Sequence, residues 1–204
     1  MKTKPVHLIA LSAIAMSLAG CSAAVTGTSP SPAASPGETS AAGLSGWQLA
    51  PAHGAANIKA AGLSVLLAEG TAEHYHAHLD VIDDGTAIPV PAEIGFSFGA
   101  DGQPNGISAL HTHDDSGIIH IEAPTAGLTY TLGQVLTEWG VLDGTGGNPG
   151  SAHASAADWT VYVNGSKQPG RPQDVPLKAY SEIVLVLGTP PATVPSSYSF
   201  PSGY

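Results

Sequence analysis

Apolar and polar residues alternate from His74 to Ile82, which is the clearest pattern along the chain. Because successive side chains of a β-strand point to opposite faces of a sheet, the alternation predicts a half-buried strand. The run Asp83-Asp84-Gly85 then predicts a turn. The polar side of the predicted strand carries four residues: His74, His76, His78 and Asp80.

Three further segments have the composition of strands: Leu63–Ala68, Trp159–Val163 and Ile183–Leu187. Asn164-Gly165 follows the second segment and is a strong signal for a tight β-hairpin. The third segment is apolar throughout, so we expect it at the centre of a sheet with both faces covered.

One short helix is predicted to begin at Thr131. Thr131 and Gln134 have the spacing of a capping box, and apolar residues recur at helical spacing as far as Trp139. Gly140 is predicted to end this helix. Taken together, these patterns predict a mostly β protein, with a single β-sandwich or barrel-like domain and one short helix.

A second cluster of histidines surrounds a turn-forming run. His111-Thr112-His113 precedes Asp114-Asp115-Ser116-Gly117, and His120 and Glu122 follow it. A loop of two or four residues gives a hairpin in which His111 faces His120 and His113 faces Ile118. Opposed residues have Cβ atoms roughly 4.5–5.5 Å apart, whereas a three-residue loop would shift the pairing by one residue and separate the imidazoles.

Imidazole is the commonest protein ligand for divalent transition metals, so the two clusters predict a joint metal site. The predicted ligands come from six histidines: His74, His76, His78, His111, His113 and His120. The outer two of the first cluster start roughly 13 Å apart at about 3.3 Å per residue. We therefore expect two of that cluster to join ligands from the hairpin, with the third orienting a ligand or serving a second ion. Asp80 and Glu122 are candidate carboxylate ligands, or partners that orient a ligand imidazole.

The types of residue available as ligands restrict which metal ion the domain can bind. Met1 and Met16 lie near the start of the chain, and Cys21 is the only cysteine. The predicted domain therefore lacks the thioether and thiolate ligands that Cu(I) prefers, which excludes a methionine-rich copper carrier. Imidazole with some carboxylate suits Cu(II) or Zn(II), and also Ni(II). We expect Cu(II) or Zn(II).

The N-terminus begins with Lys2 and Lys4 and continues with an apolar run too short for a permanent membrane helix. It ends in Leu18-Ala19-Gly20-Cys21, which resembles the lipobox of bacterial lipoproteins. The resemblance implies that residues 1–20 form a lipoprotein signal peptide cleaved before Cys21, and that Cys21 is lipidated. It also implies that the protein is anchored at the extracytoplasmic face of the cell membrane, since several acyl chains hold a protein there stably.

Residues 21–46 are rich in Ser, Ala, Thr, Pro and Gly, which predicts a disordered tether after the lipidated cysteine. Residues 47–204 then form one predicted domain of ordinary size. Without residues 1–20 the chain keeps four basic residues against sixteen acidic ones. This balance argues against nucleic acid as a partner and is compatible with gathering cations. The sequence indicates no particular protein partner.

The stretch from His111 to Glu122, followed by Thr131-Leu132-Gly133-Gln134 and Trp139-Gly140, resembles an uncharacterised group of secreted bacterial domains. In that group a His-x-His-x-His segment also precedes the stretch. The resemblance covers most of residues 47–204. It implies that the two histidine clusters form a unit, and it implies no particular reaction.

Several functions remain open at this point. The first is a binding protein that captures, buffers or delivers a divalent metal at the cell surface. The second is a metal-dependent enzyme with an open His-ligated position, although no Gly-x-Ser-x-Gly elbow, His-Glu-x-x-His helix or phosphate loop is present. The third is a histidine-rich pH sensor, and the fourth is a non-metal surface module that binds through its aromatic residues.

Overall fold

The computed structural model describes residues 46–142 and 159–204, and all of them belong to one compact unit, Glu38–Tyr204. The predicted signal peptide, Cys21 and nearly all of the predicted tether lie outside the described residues. The described part contains nine strands: β1 Glu73–Asp83, β2 Thr86–Ile88, β3 Phe96–Phe98, β4 Pro104–Ile107, β5 Leu110–His111, β6 Ile118–Ala123, β7 Trp159–Val163, β8 Ser166–Lys167 and β9 Glu182–Leu187. The predicted mostly β class is confirmed.

The main sheet has seven strands and is open. Six of them follow the order β5-β6-β1-β9-β7-β8, and β2 pairs with the far end of β1. β1 and β9 run parallel, whereas the other neighbours are antiparallel. β3 and β4 form a separate two-stranded sheet. The arrangement is sandwich-like, and the main sheet does not close into a barrel.

One face of the main sheet forms the hydrophobic core. Leu79, Ile121 and Leu185 from β1, β6 and β9 are fully buried in a single apolar cluster that also contains Trp139. Trp139 belongs to helix α2, Leu132–Trp139, which has the capping box predicted at Thr131. Gly140 ends this helix with a left-handed φ of 90°. The predicted helix is therefore confirmed.

A second short helix, α1, spans Gly54–Ala60 and was not predicted from the sequence. Its residues are mainly small, and Ile58 is its one large buried apolar side chain. A segment with a single large apolar residue gives no helical periodicity, so packing against α2 fixes this helix more than its own pattern does.

Most predicted strands are present. The alternating segment forms β1, and the apolar segment Ile183–Leu187 lies within β9, between β1 and β7 in the middle of the sheet. Asn164 and Gly165 have positive φ values of 49° and 76° and join β7 to β8. The two positive φ values are those of a type I′ hairpin turn.

The predicted strand at Leu63–Ala68 is wrong. Leu66 forms only an isolated bridge with Ile107, and the side chain of Leu67 is 95% exposed. The segment has no period-2 alternation that would bury one face, and Gly62 starts it in the left-handed region with a φ of 74°. The chain instead crosses the end of β4 and brings Glu69 towards the histidines.

Leu185→Ala should destabilise the fold by about 2–5 kcal/mol, because it removes a fully buried side chain from the central strand. Leu67→Ala makes the same chemical change at an exposed position and should change the free energy of unfolding by less than about 0.5 kcal/mol. Denaturant unfolding of both variants measures the difference. Equal effects would contradict the central placement of β9.

Candidate metal centre

Three imidazoles lie in one row across β1, β6 and β5. His76 is directly opposite His120, and His120 is directly opposite His111. The ring centroids of His76 and His120 are 4.5 Å apart, and those of His111 and His120 are 5.2 Å apart. The predicted pairing of His111 with His120 is confirmed. We call this side of the main sheet the histidine face.

His113 lies close to His111, but not through the strand pairing that the sequence predicted. β5 ends at His111, because the Thr112 hydroxyl donates to the Pro91 carbonyl oxygen and accepts from the Ile94 amide. The ladder between β5 and β6 contains only Leu110 with Ile121 and His111 with His120, so the predicted pairing of His113 with Ile118 is wrong. The turn nevertheless places His113 Nε2 only 3.2 Å from His111 Nε2.

The tautomer of His111 is fixed by the backbone. His111 is 1% exposed, and its Nδ1 lies 3.1 Å from the Ser108 carbonyl oxygen. A carbonyl oxygen only accepts, so Nδ1 carries the proton and donates it. Nε2 then keeps its lone pair and faces His113, which is the usual arrangement of a metal-binding imidazole held by its other nitrogen.

Glu122 lies where the sequence predicted it, on the same face as His120. Its Oε1 is 3.2 Å from His120 Nδ1 and 3.2 Å from His74 Nε2. His76 Nε2 lies 3.1 Å from the same His120 Nδ1. The carboxylate and the rings of His76 and His120 are buried, so few water molecules can compete for these atoms.

Glu69 is a candidate ligand that the sequence analysis missed. Its Oε1 lies 3.4 Å from His113 Nε2 and 3.9 Å from His111 Nε2. Its position depends on the segment that crosses beside β4, and no local pattern marks it. The only available signal was its acidic character close to the start of the first histidine cluster.

His78 and Asp80 belong to a different group of residues. His78 Nδ1 is 2.7 Å from Glu182 Oε2, and His78 Nε2 is 2.9 Å from the Ser116 carbonyl oxygen. The parallel register of β1 with β9 sets Glu182 directly opposite His78. The structure therefore brings five of the predicted histidines together and pairs the sixth, His78, with a carboxylate that the sequence analysis did not select.

Burial keeps the row of imidazoles neutral. Desolvation lowers the pKa of His111 to about 3, and desolvation together with neighbouring imidazoles lowers the pKa values of His76 and His120 to about 4. Each of these rings is therefore neutral at neutral pH and keeps one nitrogen lone pair without a proton. Burial would also lower the pKa of His78, but the hydrogen bond and charge of Glu182 raise it overall.

The C-terminal segment covers part of the histidine face. The Tyr204 ring centroid lies 4.8 Å from that of His76 and 5.5 Å from that of His120. Tyr198 stacks on His78 at 3.7 Å. Access from solvent remains at the rim, where the side chains of His74, Glu69 and His113 are 59%, 48% and 42% exposed.

Three sets of side chains in the described ranges have donor atoms within 4.8 Å of one another. Two lie at the imidazole row: His111, His113, His120 and Glu122 form the first set, and His74, His76 and Glu122 form the second. The third set is His78, Asp80 and Glu182. The geometry supports metal binding by the first two sets, because their donor atoms face one another and they include the neutral imidazoles of His76, His111 and His120.

Comparison with known proteins finds no matching family model, no matching curated protein and no matching solved structure. None of the helices in residues 46–142 and 159–204 is long and apolar enough to cross a membrane.

Acidification from pH 7.5 to pH 5 should lower the unfolding free energy of the metal-free protein. Between an unfolded pKa of about 6.5 and a folded pKa of about 3, the unfolded state binds the proton at His111 and the folded state does not. His111 alone should contribute a loss on the order of 2 kcal/mol at pH 5.

Denaturant titrations at the two pH values measure this loss. His111→Asn should reduce the pH dependence of the unfolding free energy. The control His53→Asn, at an exposed position directly before α1, should leave it unchanged. The contribution of His78 has the opposite sign and is common to all three proteins. An unaltered pH dependence in His111→Asn would contradict the buried neutral state.

Proposed function

We propose that this domain binds a divalent transition metal, Cu(II) or Zn(II), in order to capture, buffer or deliver it. The observation that supports the proposal is the first donor set, in which three imidazoles and one carboxylate have ligand atoms within 4.8 Å of one another. These four residues are His111, His113, His120 and Glu122.

The spacing of the donor atoms suits a coordinated ion. Metal–nitrogen bonds of about 2.0–2.1 Å in a tetrahedral site separate neighbouring donor atoms by roughly 3.3 Å. His111 Nε2 and His113 Nε2 are 3.2 Å apart, and His120 Nδ1 and Glu122 Oε1 are also 3.2 Å apart. All four residues offer a ligand atom within 4.8 Å of the others, so these spacings are compatible with one bound ion.

The charge of the site also favours a cation. Glu122 is a buried carboxylate, and its ion-pair partners among the described residues are the imidazoles of His74 and His120. The pKa of His120 is lowered to about 4, so this ring supplies no positive charge at neutral pH. A buried carboxylate is costly unless it is paired or coordinates a metal. A bound divalent ion would balance its charge.

The number of donors favours storage or transfer over catalysis. A catalytic zinc site has three protein ligands and an open position for water, whereas four protein ligands close a tetrahedral site. The first donor set has four members, with Glu69 close to two of them. Exposed His113 gives an incoming or departing ion a ligand at the protein surface. An open coordination position would instead favour a metal-dependent enzyme.

The proposed location is the extracytoplasmic face of the cell membrane. Its support is the lipobox-like Leu18-Ala19-Gly20-Cys21 and the Ser- and Pro-rich residues that follow it. A lipidated Cys21 would hold the domain at the membrane surface, where it would meet metal ions outside the cytoplasm.

His120→Ala should weaken binding of Cu(II) and Zn(II) by at least about 100-fold, since loss of an orienting group alone costs 10–100-fold. Isothermal titration calorimetry on the full chain, purified in detergent without a histidine tag and stripped of metal, measures the affinity. His53→Ala removes an exposed histidine and is the matched control, which should bind like the wild type. Circular dichroism checks that both variants are folded. No binding by the wild-type protein would overturn the proposed function.

Cys21→Ala should move the protein from the detergent-rich phase to the aqueous phase when a lysate of expressing bacteria is partitioned. The change removes the sulfur to which the lipid would be attached and leaves the domain intact. Cys21→Ala should also leave the metal affinity of the domain unchanged. Incorporation of labelled fatty acid into Cys21→Ala equal to that of the wild type would contradict lipid anchoring.

A further inference from the structure

We propose that the histidine face holds two divalent ions at one centre, with the carboxylate of Glu122 shared between them. This inference rests on the proposed metal binding and specifies its stoichiometry. The first ion would be bound by the set containing His111, His113 and His120, and the second by His74 and His76.

The two donor sets are separate except for Glu122. His111, His113 and His120 form one set with this carboxylate, and His74 and His76 form the other. All members of each set have one ligand atom within 4.8 Å of those of the others in that set. Two groups of imidazoles therefore meet at a single acidic side chain.

Glu122 is placed between imidazoles from two strands. One of its oxygens, Oε1, lies 3.2 Å from His74 Nε2 on β1 and 3.2 Å from His120 Nδ1 on β6. An ionised carboxylate has two oxygens and about four lone-pair sites, so it can bind two ions at once. Two-metal sites in proteins typically hold their ions about 3.5–4 Å apart, a distance that a shared carboxylate spans.

A single ion would leave part of the cluster unused. Structural zinc takes four ligands, and the first donor set already supplies four. His76 would remain a buried imidazole whose Nε2 points at His120 Nδ1 from 3.1 Å. A second ion gives His76 and His74 a common ligand role.

Acidic side chains at the centre partly neutralise the charge of two ions. Glu122 lies between the two donor sets, and Glu69 lies 3.4 Å from His113 Nε2 at the edge of the first. The chain as a whole carries a formal charge of −10. Shared and flanking carboxylates reduce the repulsion between neighbouring dications.

The two positions differ in their donors. Each position has one exposed imidazole, since His113 in the first is 42% exposed and His74 in the second is 59% exposed, but the second has three donors against four in the first. Exposed ligands exchange more readily and lose more conformational freedom when they bind an ion. With fewer donors and the more exposed imidazole, the ion at His74 and His76 should therefore bind more weakly and exchange faster than the other. We expect two resolved binding steps.

Titration of the metal-free full chain with Cu(II) tests the inference by calorimetry and electron paramagnetic resonance. The wild type should bind two ions, with the second at least tenfold weaker. At two equivalents the spectrum should show spin–spin coupling, because the ions would lie about 3.5–4 Å apart. His74→Ala should bind one ion with the first affinity retained and without the coupled signal. His53→Ala should behave like the wild type.

Each remaining outcome overturns the inference in a distinguishable way. One tightly bound ion in the wild type would remove the second position and leave the proposed function standing. No bound ion would remove both. Two ions without spin coupling would place the second one away from Glu122. In that case, loss of the second ion in His78→Ala would assign it to the set of His78, Asp80 and Glu182.

Discussion

The candidate metal centre depends on the register of three strands. His76, His120 and His111 form a row only because β1, β6 and β5 pair with these residues opposite one another. A slip of one residue would turn the imidazoles into the core and the core residues towards solvent. Ala77, Ile119, Ile121 and Leu110 are all fully buried on the other side of the same strands. Each large apolar side chain gains about 1.5–3 kcal/mol from burial, so the hydrophobic core fixes the position of the histidines.

Neighbouring histidines on β1 have opposite electrostatic environments although they share one face. His76 faces imidazoles and loses hydration, so its pKa is lowered to about 4. His78 is two residues further along and faces the carboxylate of Glu182, so its pKa is raised. β1 therefore carries a neutral imidazole, a candidate metal ligand, at one point and an imidazole suited to an ion pair at the next. Sequence spacing alone gives no sign of this difference.

Local patterns predicted the elements whose information lies in short stretches of chain. The alternation in β1, the capping box at Thr131, the Asn164-Gly165 turn and the pairing of His111 with His120 are of this kind. The departure of His113 from its strand was not predictable, because it depends on hydrogen bonds between Thr112 and a segment some twenty residues earlier in the chain.

The carboxylates were harder to predict than the imidazoles. Glu182 is 104 residues from His78 in the chain and meets it through a parallel pairing of β1 with β9. Parallel strands are joined by long connections, so no local pattern reports which residues they set side by side. Glu69 follows a segment that the sequence analysis took for a strand. Its approach to His113 depends on tertiary packing rather than on the residues next to it.

The apolar cluster and the imidazoles lie on different faces of the main sheet, and this separation has a consequence for how the site could change. The apolar cluster and its helix α2 lie on one side, and the candidate metal centre lies on the other, beneath Tyr198 and Tyr204. The imidazoles are not members of the apolar cluster, although His76, His111 and His120 are themselves buried. If the centre binds metal as proposed, a change of its side chains would change the ion preference on the same sheet.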